Sequence, residues 1–288
     1  MTTLTLQQLV AAIPNGCKLA VSKDETGVSI AATAALIQRG VRNLHLVCLP
    51  VSGLQTDLLI AAGCLSTIET SAITLGEYGG APHFVRALRN RSVRVIDGTC
   101  PAIHAGMQAS QKGIPFMPLR GILDSELIER RSDWTVIDNP FAPDGQADPI
   151  VAIRAIDPDI ALIHAQSADR FGNVFFGRER DCLTLAHAAR QCLVTVERIE
   201  EGNLLDDPSR AGSVIPALYV TGIAHVPQAA WPIGFGDEYR RDDAAIRAYL
   251  RGAAEGADSD TLLDELIDRA PWAKALGQAH VALAAGRS

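Results

Sequence analysis

The 288-residue chain has no excess of positive charge: 26 Lys and Arg stand against 33 Asp and Glu, a formal net charge of −7. Nucleic-acid binding neutralises phosphates with a basic surface, so no nucleic-acid partner is expected. No stretch reaches the ~18 uninterrupted apolar residues that a membrane-crossing helix needs. Met1 to Val10 contains no basic segment leading into an apolar one. The expectation is therefore a cytoplasmic protein with no membrane partner. No two of the six cysteines form a C-x-x-C pair. Several of them, among Cys17, Cys48, Cys64, Cys100, Cys182 and Cys192, sit inside apolar runs, as reduced core thiols do. His45, His83, His104, His187, His225 and His280 are scattered without metal-ligand spacing. Absent too are G-x-G-x-x-G after the first strand, the P-loop, the G-x-S-x-G elbow and H-E-x-x-H. That sets aside the dinucleotide, P-loop, serine-hydrolase and zincin chemistries.

Hydrophobic residues make up 48% of the chain and charged residues 20%, enough to bury a sizeable core. With a net negative field, an anionic ligand would need local Arg, Lys or backbone N–H groups.

Apolar runs and helical patterns alternate. Leu19 to Val21 reads as a strand and Val28 to Arg39 as an Ala-rich helix stopped by Gly40. Leu44 to Leu49 is a second strand, Leu54 to Ala62 a helix ending at Gly63, and Thr67 to Ile73 a third strand. Pro82 to Asn90 is a helix with proline in its first turn. Val93 to Ile96 follows as a strand, then Ala102 to Lys112 as a helix closed by Gly113. Leu119 to Pro149, rich in Pro, Asp and Gly, reads as an excursion. Strands resume at Ile160, at Leu193 to Val196 and at Leu218 to Ile223. From Asp242 the pattern is helical, with Leu262, Leu263, Leu266 and Ile267 on one face behind a cap at Asp258 or Ser259. Repeated strand–helix–strand units predict an α/β protein: an open, largely parallel sheet with helices on both faces. One domain is expected, an α/β core over 1–240 and a helical tail over 241–288.

The most informative stretch runs from Ile160 to Asn173. Ile160 to Ile163 is apolar throughout, as in a strand buried on both faces. The chain then becomes polar at once, through His164, Gln166, Ser167, Asp169 and Asn173. At the carboxyl edge of an open α/β sheet such groups meet ligands. They equally make a well-capped turn.

Asp157-Pro158-Asp159, the apolar run, His164, Gln166, Ala168-Asp169 and Gly172-Asn173 together resemble the alpha chain of a class I coenzyme A transferase, of the glutaconate CoA-transferase type. The resemblance extends in segments over roughly 6–250. Asn15 to Val21 matches the family's opening turn and strand, but Ser22-Lys23-Asp24 stands where relatives have a double glycine and an aromatic. Glycines admit a ligand close to the backbone, whereas Ser22 offers a side chain. The N–H groups of Thr26, Gly27 and Val28 would face out of a helix N-terminus toward an anion. Asp24 and Glu25 would repel it, and Asp24 or Thr26 also suits a capping role.

By the same resemblance Ser71 and Gly76, at the end of the third strand, are the best contacts for an acyl-CoA. Glu77, beside three glycines, reads either as a carboxylate free to reach substrate or as a solvated loop acid. Ile114 to Gly121 is similar to the family's Pro-Phe-x-Pro segment, from which Arg120 emerges able to pair a carboxylate or phosphate. The glutamate that ring-hydrolysing relatives carry before that segment falls near Cys100, so this chain lacks it. Trp231 and Tyr239 lie in a segment similar to one that packs across the family's subunit contact, and packing within the chain fits them equally.

The family's nucleophile is a glutamate in a Ser-Glu-Asn-Gly-like motif of the beta chain. Ser125-Glu126 is followed here by Leu127-Ile128, and Glu-Asn-Gly occurs nowhere. The resemblance thus implies an alpha subunit that contributes no catalytic residue and needs a separately encoded beta subunit. Acyl-CoA and carboxylate would be the substrates, with no cofactor or metal beyond the coenzyme A thioester itself. A CoA-ester hydrolase or ring-opening enzyme on the same scaffold, a non-catalytic structural subunit, and a sugar-phosphate isomerase of related architecture remain as alternatives.

Overall fold

The computed structural model describes residues 3–24 and 27–276. In chain order the chain builds α1 (Leu6–Ala11), β1 (Lys18–Ser22), α2 (Ile30–Gln38), β2 (Leu44–Leu49), β3 (Val51–Ser52), α3 (Leu54–Ala61), β4 (Leu65–Thr70) and β5 (Ala72–Ile73). Next come α4 (Pro82–Asn90), β6 (Arg94–Asp97), α5 (Cys100–Gln111), β7 (Phe116–Leu119), α6 (Leu127–Arg130), β8 (Trp134–Asp138) and β9 (Pro149–Arg154). The last part holds β10 (Ile160–Asp169), β11 (Val174–Phe175), α7 (Arg180–Ala188), β12 (Gln191–Glu200), β13 (Val214–Ile215), β14 (Gly222–His225), α8 (Asp243–Glu255) and α9 (Ser259–Arg269).

Seven strands pair in parallel in the order β14–β12–β10–β1–β2–β4–β6, so the open parallel sheet expected from the alternation is present. Short β11 and β13 add antiparallel pairs beyond the far half of β10. Alternate side chains of each strand feed opposite faces. Leu19, Val21 and Leu162 join a core with α1, α2, α3, α8 and α9, while Ala20, Ala161 and Ile163 face α5 and α7. Burying a side chain such as Leu36 completely stabilises by about 1.5–3 kcal/mol. The tail helices start where capping chemistry puts them: Asp242 accepts from Ala245 N and Asp258 from Thr261 N. Leu262, Leu263 and Leu266 are buried on one face of α9; residues 277–288, the end of the expected tail, lie outside the described residues.

Four expectations change. The third strand is two: β4 stops at Thr70, and Ala72–Ile73 pairs instead with β3 in a separate two-stranded sheet. The excursion, with Phe116–Leu119 ahead of it and Pro149–Arg154 at its close, builds an antiparallel sheet of its own in the order β7–β9–β8, with Trp134, Val151 and Ile153 packed on Ala102 and Ala105 of α5. Its prolines hid the strands. Leu218 to Ile223 begins as a 3-10 turn over Ala217–Tyr219 and becomes strand only at Gly222. Most consequential, β10 does not end at Ile163. It continues beside β12 as far as Asp169, paired with Glu200.

Candidate active site at the carboxyl edge

The strands β1, β2, β4 and β6 empty on one side of the sheet, the edge where open α/β proteins bind ligands. After β1, Asp24 reaches across to α3, where its Oδ2 accepts from Leu54 N at 2.8 Å. It therefore caps α3, while α2 is capped by Ser29, whose Oγ accepts from Ala32 N at 3.1 Å. Gly53 makes the contact possible: a Cβ there would lie 2.5 Å from both Asp24 Oδ2 and Thr74 O. Asp24, Ser52, Gly76, Tyr78 and Arg241 line a cavity of about 180 Å³ at this point, with Ile233 and Ile246 as its apolar wall.

A second group of side chains gathers beside it. Lys23 Nζ lies 4.0 Å from Asp181 on α7, and His104 Nε2 lies 3.2 Å from the same carboxylate. His104 Nδ1 is 3.0 Å from Cys100 O, one turn back in α5. The hydrogen bond to Asp181 raises the His104 pKa above its usual value near 6.5 and outweighs partial burial. Ser71 Oγ donates to Pro50 O at 2.9 Å and stands 3.1 Å from Cys100 Sγ. Cys100 is exposed, whereas the other five cysteines are buried. Burial pushes Cys17 up to about 11 and Cys48 and Cys192 up to about 12, which suits inert core thiols.

Ser22, Ser71, Gly76 and Glu77 all follow strand ends on this edge, but they do not share one cavity. Gly76 borders the 180 Å³ cavity, and Ser71 borders a groove of about 760 Å³. Ser22 is buried, and its Oγ has no hydrogen-bond partner among the described residues. Gly27 accepts from His164 N at 2.6 Å with φ of +129°, and a Cβ there would come within 2.7 Å of His164 O. Thr26 and Glu25 lie outside the described residues. Glu77 is paired with Arg241 instead of standing free. Arg120 belongs to the small sheet, where its Nη2 donates to Asp148 Oδ2 at 2.7 Å and that pair holds the Asp148 carboxyl down at about 2.

His164 is sealed. It sits inside β10, with Nδ1 2.9 Å from Thr195 Oγ1, Nε2 2.6 Å from Glu197 Oε1, and the Phe235 ring 4.6 Å away. Glu197 also accepts from Gln228 N at 2.7 Å and Tyr239 OH at 3.0 Å. Burial disfavours its charge, but these donors, His164 first, hold its carboxyl below the usual 4.5. Tyr239 is thus an internal partner, as is Trp231, whose Nε1 donates to Asp242 Oδ2 at 3.2 Å. The turn after β10 is closed by Asp169, which accepts from Phe171 N, Asn173 N and Leu204 N. The end of that polar run thus forms a well-capped turn.

Sequence reasoning passed over the Cys100–His104–Asp181 group and Arg241. The i, i+4 spacing of Cys100 and His104 behind a Thr99 cap was a usable signal; Asp181, 77 residues from His104, left none.

The coenzyme A transferase family model matches residues 3–223. One of the subunits of the 3-oxoadipate CoA-transferase of Pseudomonas knackmussii is 30% identical over 279 residues, covering 92% of this chain and 93% of that protein. A variant of the decarboxylase AibA/AibB superposes with a TM-score of 0.80 at 27% identity, over 93% of this chain and 98% of the other. The glutaconate coenzyme A-transferase of Acidaminococcus fermentans has the same fold, with a TM-score of 0.79 at 22% identity over 93% and 95% of the two chains. With its parallel sheet, its carboxyl-edge groups and these likenesses, the chain belongs to the coenzyme A transferase family.

Proposed function

We propose that this chain is the alpha subunit of a heteromeric CoA-transferase, which exchanges CoA between an acyl-CoA and a carboxylic acid together with a separately encoded beta subunit that supplies the nucleophilic glutamate. The supporting observation is the condition of the carboxylates at the carboxyl edge. Asp24 is bonded to Leu54 N, Asp181 to His104, and Glu77 to Arg241. Each of these three carboxylates is already engaged by a donor of this chain, away from any substrate. The missing Glu-Asn-Gly motif points the same way. So does the relative from Pseudomonas knackmussii, which is by its name one subunit of its enzyme.

On this reading the partner's glutamate attacks the thioester carbonyl and CoA leaves as thiolate. CoA then returns to the resulting anhydride, giving a glutamyl thioester and the free acid, and an acceptor carboxylate runs the sequence backwards. This chain would supply the wall of the site. Lys23 and the N–H groups at the start of α5 would offer positive charge and donors to the oxygen that becomes negative in the transition state, with Ser71 and His104 beside them. No metal or cofactor is required.

A hydrolase or ring-opening enzyme on the same scaffold is the second reading, favoured by Ser22-Lys23-Asp24 where the family pattern has a double glycine and an aromatic. One assay tests both. The purified chain given acyl-CoA and acceptor acids should be silent, and addition of the beta subunit should give transfer. Loss of acyl-CoA without an acceptor would favour the hydrolase, and robust turnover by the chain alone would overturn the half-enzyme reading.

A further inference from the structure

The cavity of about 180 Å³ has two banks of different build. One is the loop over 74–80, between β5 and α4, which supplies Thr74, Leu75, Gly76 and Tyr78. The other is the strap over 231–243, which supplies Ile233 and Arg241, and then α8, which supplies Ile246. The strap is fixed from behind. Tyr239 OH donates to Glu197 Oε1 at 3.0 Å and Asp242 N to Pro232 O at 2.8 Å. Gly234 lies so close to the next turn of the strap that a Cβ there would come within 2.7 Å of Arg241 N. Tyr249 ties α8 down by donating to the buried Asp57 at 2.6 Å. The loop, in contrast, is bonded mainly to itself. Leu75 N donates to Gly79 O at 2.9 Å, Gly79 N donates to Gly76 O at 3.0 Å, and Thr74 and Gly80 form an antiparallel bridge. Gly76 and Gly79 hold left-handed backbone, at φ of +63° and +92°, and a Cβ on either would meet nothing within 4 Å. Leu75 is the only buried residue of the loop, and Gly76, Glu77, Gly79 and Gly80 are exposed. A segment closed on itself, with so few buried contacts, is built to move as a unit.

The banks meet through polar groups at the surface. Glu77 pairs with Arg241, and Tyr78 OH donates to Asp243. The guanidiniums of Arg241 and Arg247 lie 5.0 Å and 5.3 Å from the Tyr78 ring centre. Arg241 Nε also donates to Asp243 Oδ1 at 2.8 Å, so one guanidinium joins the strap, the start of α8 and the loop. The acids it holds stay in water, with the Glu77 and Asp243 side chains 64% and 59% exposed. Exposed pairs of this kind are weak and are screened by salt. They hold the loop in place without locking it.

We propose that residues 76–80 form a lid over this cavity and that Arg241 is its latch, gating the entry of a small, largely apolar group to the wall of Val51, Leu54, Ile233 and Ile246. Opening breaks the surface contacts of Glu77 and Tyr78 and leaves the core as it is. Arg241 is a positioning residue: it acts by holding Glu77 and the Tyr78 ring in place. The inference does not rest on the transferase reading, since it requires neither a beta subunit nor turnover.

The test places a thiol on the cavity wall of the full chain. Ser52 borders the cavity and is buried, so S52C should react with a small methanethiosulfonate reagent when the lid opens, and peptide mass mapping separates this label from that on Cys100. S52C/R241Q should label about fivefold faster than S52C with an unchanged melting temperature, and S52C/R241K should fall close to S52C. S52C/R240Q should match S52C, since Arg240 is exposed and has no side-chain partner among the described residues. Salt at about 0.5 M should speed the labelling of S52C and leave S52C/R241Q unchanged, because only the former has the pair to screen. Should S52C not fold, amide exchange decides, with the amides of 76–80 exchanging about fivefold faster in R241Q than in the parent. Equal labelling of S52C and S52C/R241Q, R240Q acting like R241Q, or unchanged exchange over 76–80 would overturn the lid.

Discussion

At β1 the strand stops where the sequence turns polar, at Ser22, and β4 ends at Thr70, whereas β10 and β12 continue side by side to Asp169 and Glu200. The first arrangement leaves Lys23, Asp24, Ser71 and Gly76 around open cavities. The second closes over its polar groups: His164 and Thr195 are fully enclosed and Glu197 nearly so. Both stretches are an apolar run followed by Ser, Asp or His. What separates them is whether a neighbouring strand continues far enough to take the backbone hydrogen bonds. Enclosed polar groups then need internal partners, and His164, Glu197 and Tyr239 supply them to one another. At the open edge the groups are held by contacts to loops and helix ends, beside the cavities.

The sharpest way to break this contrast is Glu197→Ala. Deleting one member of a buried, hydrogen-bonded ionisable group costs about 3–5 kcal/mol, so urea unfolding should move well below the parent. The pH dependence has a defined sign. The folded pKa of Glu197 is held below 4.5, so its stabilisation is present above that value and lost as pH falls through the folded pKa. Equal unfolding midpoints for parent and variant at pH 7 would mean that the enclosed end is not held this way.

Gly53→Ala tests the open edge. The new methyl meets Thr74 O as well as Asp24, and backbone cannot step aside, so a loss of about 1–3 kcal/mol is expected. Gly121→Ala, where a Cβ meets nothing within 4 Å, serves as the reference and should be near neutral.

Ser71→Ala separates function from stability at the same edge. Kinetics of the assembled complex should show kcat/KM about tenfold lower, with the melting temperature nearly intact, if its hydroxyl acts in the transition state. A stable complex with unaltered kinetics would take Ser71 out of the site.

The smallest expected effect is at His104. Its folded pKa is raised by Asp181, so the contribution is full below 6.5 and fades as pH rises through the folded value. The pair is partly exposed, which limits it to about 0.2–1 kcal/mol. An NMR titration should find the His104 pKa lower in Asp181→Asn; an unchanged value would remove the contact.

Much of this architecture was legible before any coordinates. Leu44–Leu49 and Pro82–Asn90 fall where apolar runs, glycine stops and a first-turn proline put them, because those signals are local. The small sheet was not legible, since β7 and β9 carry prolines that read as loop. The length of β10 was hidden because its polar residues are satisfied by β12 and by Asn203 to Leu204, far along the chain. At the edge, Ser71 and Gly76 could be named from resemblance, but not that they border different cavities. Asp24 capping α3 and Arg241 on Glu77 depend on partners tens of residues away.

The central claim is that this edge shapes a site whose nucleophile comes from elsewhere. Mass spectrometry of the assembled complex, quenched during turnover with acyl-CoA, tests it most directly. A CoA adduct on a glutamate of the beta subunit, with this chain at its unmodified mass, is the predicted result. An adduct on any residue of this chain, Cys100 and Glu77 included, would contradict it.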